Sequence, residues 1–94
     1  MKIKPAKYDN LTPNERRLLR ESYVVAQDGL CYWCNQPLSG PPSAEVSSAS
    51  INLRLFPTGF MKHPIHLQHD HVSGLTEGAV HARCNAYMWQ YHGR

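Results

Sequence analysis

Two short pairs of soft or borderline metal ligands, Cys31-x-x-Cys34 and His81-x-x-Cys84, constrain this chain more than anything else in it. Zinc in structural sites takes four ligands in a tetrahedron, and an i, i+3 spacing lets one tight turn or one helix start offer two side chains to the same ion. Together the pairs use all three cysteines. An odd cysteine count cannot close a disulfide set, and no N-terminal apolar run of signal-peptide type is present. The expectation is therefore a reducing compartment and a structural zinc rather than disulfides. The competing reading makes Cys31-x-x-Cys34 a redox motif, Cys84 a buried thiol and His81 an ordinary polar residue. It needs a βαβ context that the pattern of this chain does not offer.

Size gives the metal its physical purpose. Ninety-four residues, 41% of them apolar, are enough for one domain with a small core. A domain this short buries only about 60 to 65% of its unfolded surface, and metal binding worth on the order of 10 to 16 kcal/mol can replace the missing burial. Ten Lys and Arg against seven Asp and Glu give a net charge of +3, which permits a polyanionic partner without demanding one. No stretch approaches the 18 or so consecutive apolar residues of a membrane span.

Along the chain, residues 1–11 carry Lys2, Lys4 and Lys7 and read as a basic arm, either solvated or lying on a nucleic-acid backbone. Thr12-Pro13-Asn14-Glu15 has the residues of a capping box with Pro at the first helical position. Leu18, Leu19, Tyr23 and Ala26 then predict the buried stripe of a helix that ends at Asp28-Gly29. Residues 36–50, rich in Pro, Ser and Gly, predict an irregular excursion with no evident chemistry. The alternation in 51–56 predicts a short strand, 64–72 a second strand, Ser73-Gly74 a turn, and Ala79 onward the entry to a terminal helix.

All six histidines lie between His63 and His92, and the run His66-Leu67-Gln68-His69-Asp70-His71 is the densest part. On a strand His69 and His71 share one face, Gln68 and Asp70 the other. The segments Gln27 to Cys34, His69-Asp70-His71-Val72-Ser73-Gly74 and Gly78 through Cys84-Asn85 resemble the recombination endonuclease VII branch of the HNH nucleases. In that branch a Cys-x-x-Cys knuckle precedes an Asp-His-Asp-His strand, a Thr-Gly turn, a second knuckle pair and an Asn directly after the last Cys. The resemblance spans roughly residues 27–92, with 36–63 unmatched.

This resemblance implies a small α+β domain, a zinc-stabilised ββα-metal (His-Me finger) fold carrying an N-terminal helix on residues 12–94. It implies a metal-dependent endonuclease that hydrolyses DNA phosphodiesters, with nicking or relaxed cleavage expected, and a rival class, a zinc-knuckle DNA-binding or adaptor domain that has lost activity. The structural zinc falls to Cys31, Cys34, His81 and Cys84, where His81 stands in a position usually held by Cys. The catalytic magnesium or manganese falls to Gln68, where the family has an acidic residue or His, with Asn85. His69 is then the general base. A register shifted by two residues makes Asp70 the ligand and His71 the base. His92, two helical turns beyond Asn85, is either a further ion ligand or a residue interacting with the helix dipole. Arg83 is the candidate phosphate contact, and Trp33, Tyr87, Trp89 and Tyr91 either stack on bases or belong to the core. DNA, with other phage proteins possible beside it, is the expected partner, and the bacterial host's cytoplasm the expected location.

The chemistry suits the residue types. A neutral imidazole can take a proton from water near pH 7, a step worth about 100- to 10,000-fold. Amide and carboxylate oxygens suit a hard divalent ion, which neutralises charge on the phosphoryl group and the leaving oxygen.

Overall fold

The capping box forms as its residues predict. In the computed structural model, which describes residues 3–93, Thr12 accepts from the Glu15 amide at 3.1 Å while Glu15 accepts from the Thr12 amide at 2.8 Å. Helix α1 (Pro13–Ala26) follows. Asp28 and Gly29 close it with left-handed backbone (φ 55° and 75°). Its inward face is narrower than the expected stripe, because Leu18 is exposed and Leu19, Tyr23 and Val24 carry the packing. Arg17 pairs with Glu21 on the solvent side, while Arg16 and Arg20, four residues apart, share another face.

A two-stranded antiparallel hairpin is the centre of the molecule, β1 (Ile65–His69) against β2 (Thr76–His81), and helix α3 (Ala82–His92) follows β2 with no loop. The result is a compact α+β arrangement in which α1 and α3 both pack on both strands. Tyr23, Leu67, Ala79, Val80 and Met88 form the heart of the core, joined by Leu38 and Val46 from the long connection.

Two expected boundaries move. The strand predicted over 64–72 stops at His69 because Asp70 turns the chain. Its carboxylate accepts the Val72 and Ser73 amides at 2.8 Å each, and its carbonyl accepts the Gly74 amide at 2.8 Å. The terminal helix begins at Ala82 rather than Ala79, because Ala79 and Val80 are fully buried strand residues of β2.

The predicted strand over 51–56 is absent. A single 3₁₀ turn at Leu53–Leu55 stands there with both leucines exposed, and the segment pairs with neither strand of the hairpin. The excursion over 36–50 is more ordered than its composition suggests. Helix α2 (Ala44–Ser48) is capped by Ser43 and anchored by fully buried Val46. A radius of gyration of 12.7 Å matches the about 12 Å expected for a compact chain of this length, so the connection folds back on the body.

The N-terminal segment is neither a free tail nor a free basic arm. Lys2 lies outside the described residues, but 6–8 add a short third rung to the hairpin's turn end. Tyr8 donates to the Gly74 carbonyl, the Thr76 amide donates to Ala6, the Ala6 amide donates to the Thr76 hydroxyl, and Lys7 reaches the Ser73 carbonyl at 2.8 Å. Among the described residues no helix is long and apolar enough to cross a membrane.

Candidate metal centre and histidine cavity

The four predicted zinc ligands come together. Cys31, Cys34, His81 and Cys84 present ligand atoms that all lie within 4.8 Å of one another. His81 Nδ1 is 3.5 Å from Cys34 Sγ and 3.6 Å from Cys84 Sγ. Bonds of about 2.3 Å to sulfur and about 2.0 Å to nitrogen, meeting near the tetrahedral angle, separate such atoms by about 3.5 Å, so the cluster could hold a structural zinc. The ring is also oriented for it. His81 Nε2 lies 2.9 Å from the Pro37 carbonyl, so a proton on Nε2 donates there and leaves Nδ1 to the metal.

Sulfur electrostatics point the same way. Cys31 is pushed down to about 4, because Cys84 donates to its sulfur and the backbone amides of Cys34, His81 and Trp33 add their dipoles, against the opposing effect of burial. Cys84 is pushed up by giving that hydrogen bond and by its own burial. A buried thiolate beside two more sulfurs attracts a cation.

One amide side chain adds to the backbone hydrogen bonds that hold the knuckle, such as Tyr32 to the Ala79 carbonyl. Gln27, just after α1, donates from Nε2 to the Leu30 and Ala79 carbonyls (2.8 and 2.9 Å) and accepts the Ala79 amide on Oε1 (2.9 Å), tying α1, the knuckle and β2 together. The close approach needs a glycine opposite. A Cβ on Gly78 would stand 2.7 Å from Gln27 Oε1 and 2.9 Å from the Tyr32 ring. No local pattern marks this role for Gln27, whose partners lie 3 and 52 residues away.

On the other side of the hairpin the open edge of β1 borders a cavity of about 600 Å³. Gln68, His69, His71 and Asn85 all line it, together with two residues the sequence argument left aside, His66 and Phe60. Asn85 Nδ2 and His66 Nδ1 are 3.0 Å apart. Burial, with the nearby His63 and Arg20 charges, pushes His66 below its ordinary value, although a hydrogen bond with the Phe60 backbone works the other way. A neutral His66 thus accepts from Asn85, which leaves the amide oxygen of Asn85 without a protein partner.

Gln68 is arranged likewise. It is only 2% exposed, and its Nε2 donates to the His69 carbonyl (3.0 Å) and to Glu77 (3.3 Å). Both neighbours are acceptors, which fixes the orientation of the amide. Among the described residues no buried side-chain polar atom lacks a partner, so Gln68 Oε1, which makes no hydrogen bond, keeps some accessible surface on a residue that lines the cavity. A bulge between Gln68 and His69 makes Glu77 the extra residue on β2 and sets it beside this amide.

His69 stacks on Tyr8 with ring centroids 4.1 Å apart and planes 15° apart, and Arg16 covers the other face of Tyr8 at 3.9 Å while also donating to its carbonyl. Burial first, then His71, lowers the His69 pKa, so its imidazole is neutral near pH 7. His71 stands at the exposed rim, 4.7 Å from the His69 ring.

Three expected roles meet other arrangements. Asp70, the ligand of the shifted register, has one carboxylate oxygen occupied by the hairpin turn. Arg83 is turned to the end of α2, donating from Nε and Nη2 to the Val46 and Ala49 carbonyls at 3.2 and 2.6 Å, so part of its guanidinium is engaged within the fold. His92 does not line the cavity. It packs beside Trp33 and Tyr87, and the α3 residue that shares the cavity with Asn85 is Trp89, one turn on. No protein-family model, curated protein or solved structure matches the chain.

Proposed function

We propose that the chain is a metal-dependent endonuclease of the HNH type, a ββα-metal nuclease that hydrolyses DNA phosphodiester bonds at the histidine cavity. The observation that carries this reading is the convergence, at the open edge of β1, of a neutral imidazole with two amide oxygens that lack protein partners, on Gln68, His69 and Asn85. His69 would take the proton of the attacking water, and Tyr8 fixes its ring. Gln68 and Asn85 would hold a hard divalent ion, magnesium or manganese, that supplies Lewis-acid stabilisation when bound. Cys84 and Asn85 are neighbours at the start of α3, so the zinc that holds one also places the other.

One observation favours a second reading, a DNA-binding or adaptor domain without turnover. No Asp or Glu lines the cavity, so the ion would bind on neutral ligands and substrate phosphate alone. Plasmid nicking in magnesium or manganese, run beside His69→Ala, decides between them. Nicking that the substitution abolishes supports the nuclease. DNA binding with no nicking in either ion supports the adaptor.

A further inference from the structure

The cavity is built for an anion carrying a flat ring. Two arginines and four histidines line it, Arg16, Arg20, His63, His66, His69 and His71. Arg16 is committed to Tyr8, but Arg20 has no hydrogen-bond or ion-pair partner among the described residues, and its guanidinium is the cavity's available cationic fork. Beside the polar groups stands an aromatic shelf. Phe56 stacks on Phe60 at 4.8 Å and meets the edge of Trp89 at 5.5 Å, while Phe60 meets His66 edge-on at 4.8 Å. A shelf that served only to pack the 51–64 loop would be covered. Here all three rings line the cavity, and Trp89 keeps 44% of its surface exposed.

We infer that this cavity receives an unpaired DNA nucleotide, with its phosphate on Arg20 and its base against Phe56, Phe60 and Trp89. The inference rests on the nucleic-acid reading of the same cavity and adds the substrate class: a single-stranded or locally opened strand. In a duplex the base faces are already stacked on each other, and only phosphates and groove edges are offered, so an aromatic shelf beside a phosphate fork has nothing to grip. A volume of about 600 Å³ lies within the range of pockets that enclose one small organic ligand. Neither arm of the site is visible as a motif. Arg20 comes from α1, Phe56 and Phe60 from the long connection, and Trp89 from α3.

The test uses the zinc-loaded full chain and fluorescently labelled DNA, an oligothymidine against a blunt duplex of equal length, with no magnesium or manganese added. The single strand should bind at least about tenfold tighter than the duplex. Arg20→Ala should weaken it by about tenfold and lower the log–log salt slope by about 0.7, the value of one phosphate contact on a single strand. Trp89→Leu should weaken it by about 5- to 160-fold, the range of one lost stacking partner. That variant should also lose the quenching of tryptophan fluorescence by DNA while Trp33 still emits. Thermal melting of both variants checks that they are folded.

Equal or tighter duplex binding, or single-strand binding untouched by both substitutions, would overturn the inference. An RNA strand of matching sequence held tenfold tighter than the DNA would overturn its assignment to DNA. The nuclease reading fails separately. Single-strand preference with no cleavage of any DNA in either ion upholds this site and removes the nuclease. Nicking of duplex plasmid with no single-strand preference does the reverse.

Discussion

The two faces of the hairpin use similar residues to opposite ends. At the knuckle, three sulfurs and one imidazole converge on a closed, buried point, and even the second nitrogen of His81 has its acceptor at Pro37. At the cavity, the two amides are each half-engaged. Asn85 and Gln68 have their nitrogens occupied and their oxygens free, and Arg20 has no partner among the described residues. Full engagement makes a site that holds the fold; partial engagement leaves capacity for something that arrives. The faces meet at one peptide bond, between Cys84 and Asn85.

The largest effect should come from emptying the closed face. Zinc binding in small domains is worth on the order of 10 to 16 kcal/mol, more than a whole domain of this size is stable by. Elemental analysis should find one zinc per chain, and strong chelation should abolish the circular-dichroism melting transition. A metal-free chain with an unchanged melting curve would reverse the comparison, leaving the knuckle as mere packing.

The open face should respond in rate rather than in stability. His69→Ala should lower nicking by about 100-fold or more, about 2.7 kcal/mol of barrier, with little change in melting temperature. Asn85→Ala should be partly rescued by excess manganese, because mass action can restore a weakened ion but not a missing proton acceptor. Rescue of the first variant and not the second would mean that the two roles are exchanged.

The same histidines give a pH signature with a definite sign. His66 and His69 are held below the ordinary imidazole value of 6.5 in the folded chain. The unfolded chain therefore binds more protons in the window just below that value, and stability rises with pH through it. Two expectations follow. Melting temperature should fall as the solution is acidified below about 6.5, and the acid limb of the nicking rate should lie below 6.5 as well. A limb above 6.5 would point to a base that is not His69.

How far the two faces could be read from the sequence differs for a physical reason. Ligand pairs three residues apart, a capping box and a Ser-Gly turn are local devices, so the zinc set, the start of α1 and the hairpin turn all lie in short strings. The cavity is assembled across long separations. Tyr8 reaches His69, Arg20 comes from a helix 46 residues before His66, and Phe60 belongs to the stretch that the resemblance leaves unmatched. No local pattern encodes such meetings. The same cause hides the neighbours of Arg83 and His92. Helical spacing placed them correctly on α3, but α2 and Trp33, which claim their side chains, are distant in sequence.

A smaller effect should reach the closed face without touching a ligand. Gly78→Ala brings a methyl group within 3 Å of Gln27 and Tyr32, and overpacking of this kind costs about 1 to 3 kcal/mol. Urea titration should show the loss with the zinc content unchanged. If zinc leaves as well, the Gln27 bracket is part of what holds the metal.

The last prediction tests whether the open face is poor in negative charge by construction. Gln68→Glu keeps the shape and replaces the nitrogen, so donors to the His69 carbonyl and to Glu77 are lost, and two carboxylates stand where an amide and a carboxylate were 3.3 Å apart. Without a divalent ion the variant should melt earlier, since a buried acceptor loses its partner and like charges are crowded. A hard cation relieves both faults at once. Manganese should therefore raise the variant's melting temperature more than that of the parent chain. The manganese concentration for half-maximal nicking should fall by about tenfold, about 1.4 kcal/mol of metal affinity. An equal response of parent and variant to manganese would show that no ion sits at Gln68. The asymmetry between the two faces would then be one of nucleic-acid binding alone.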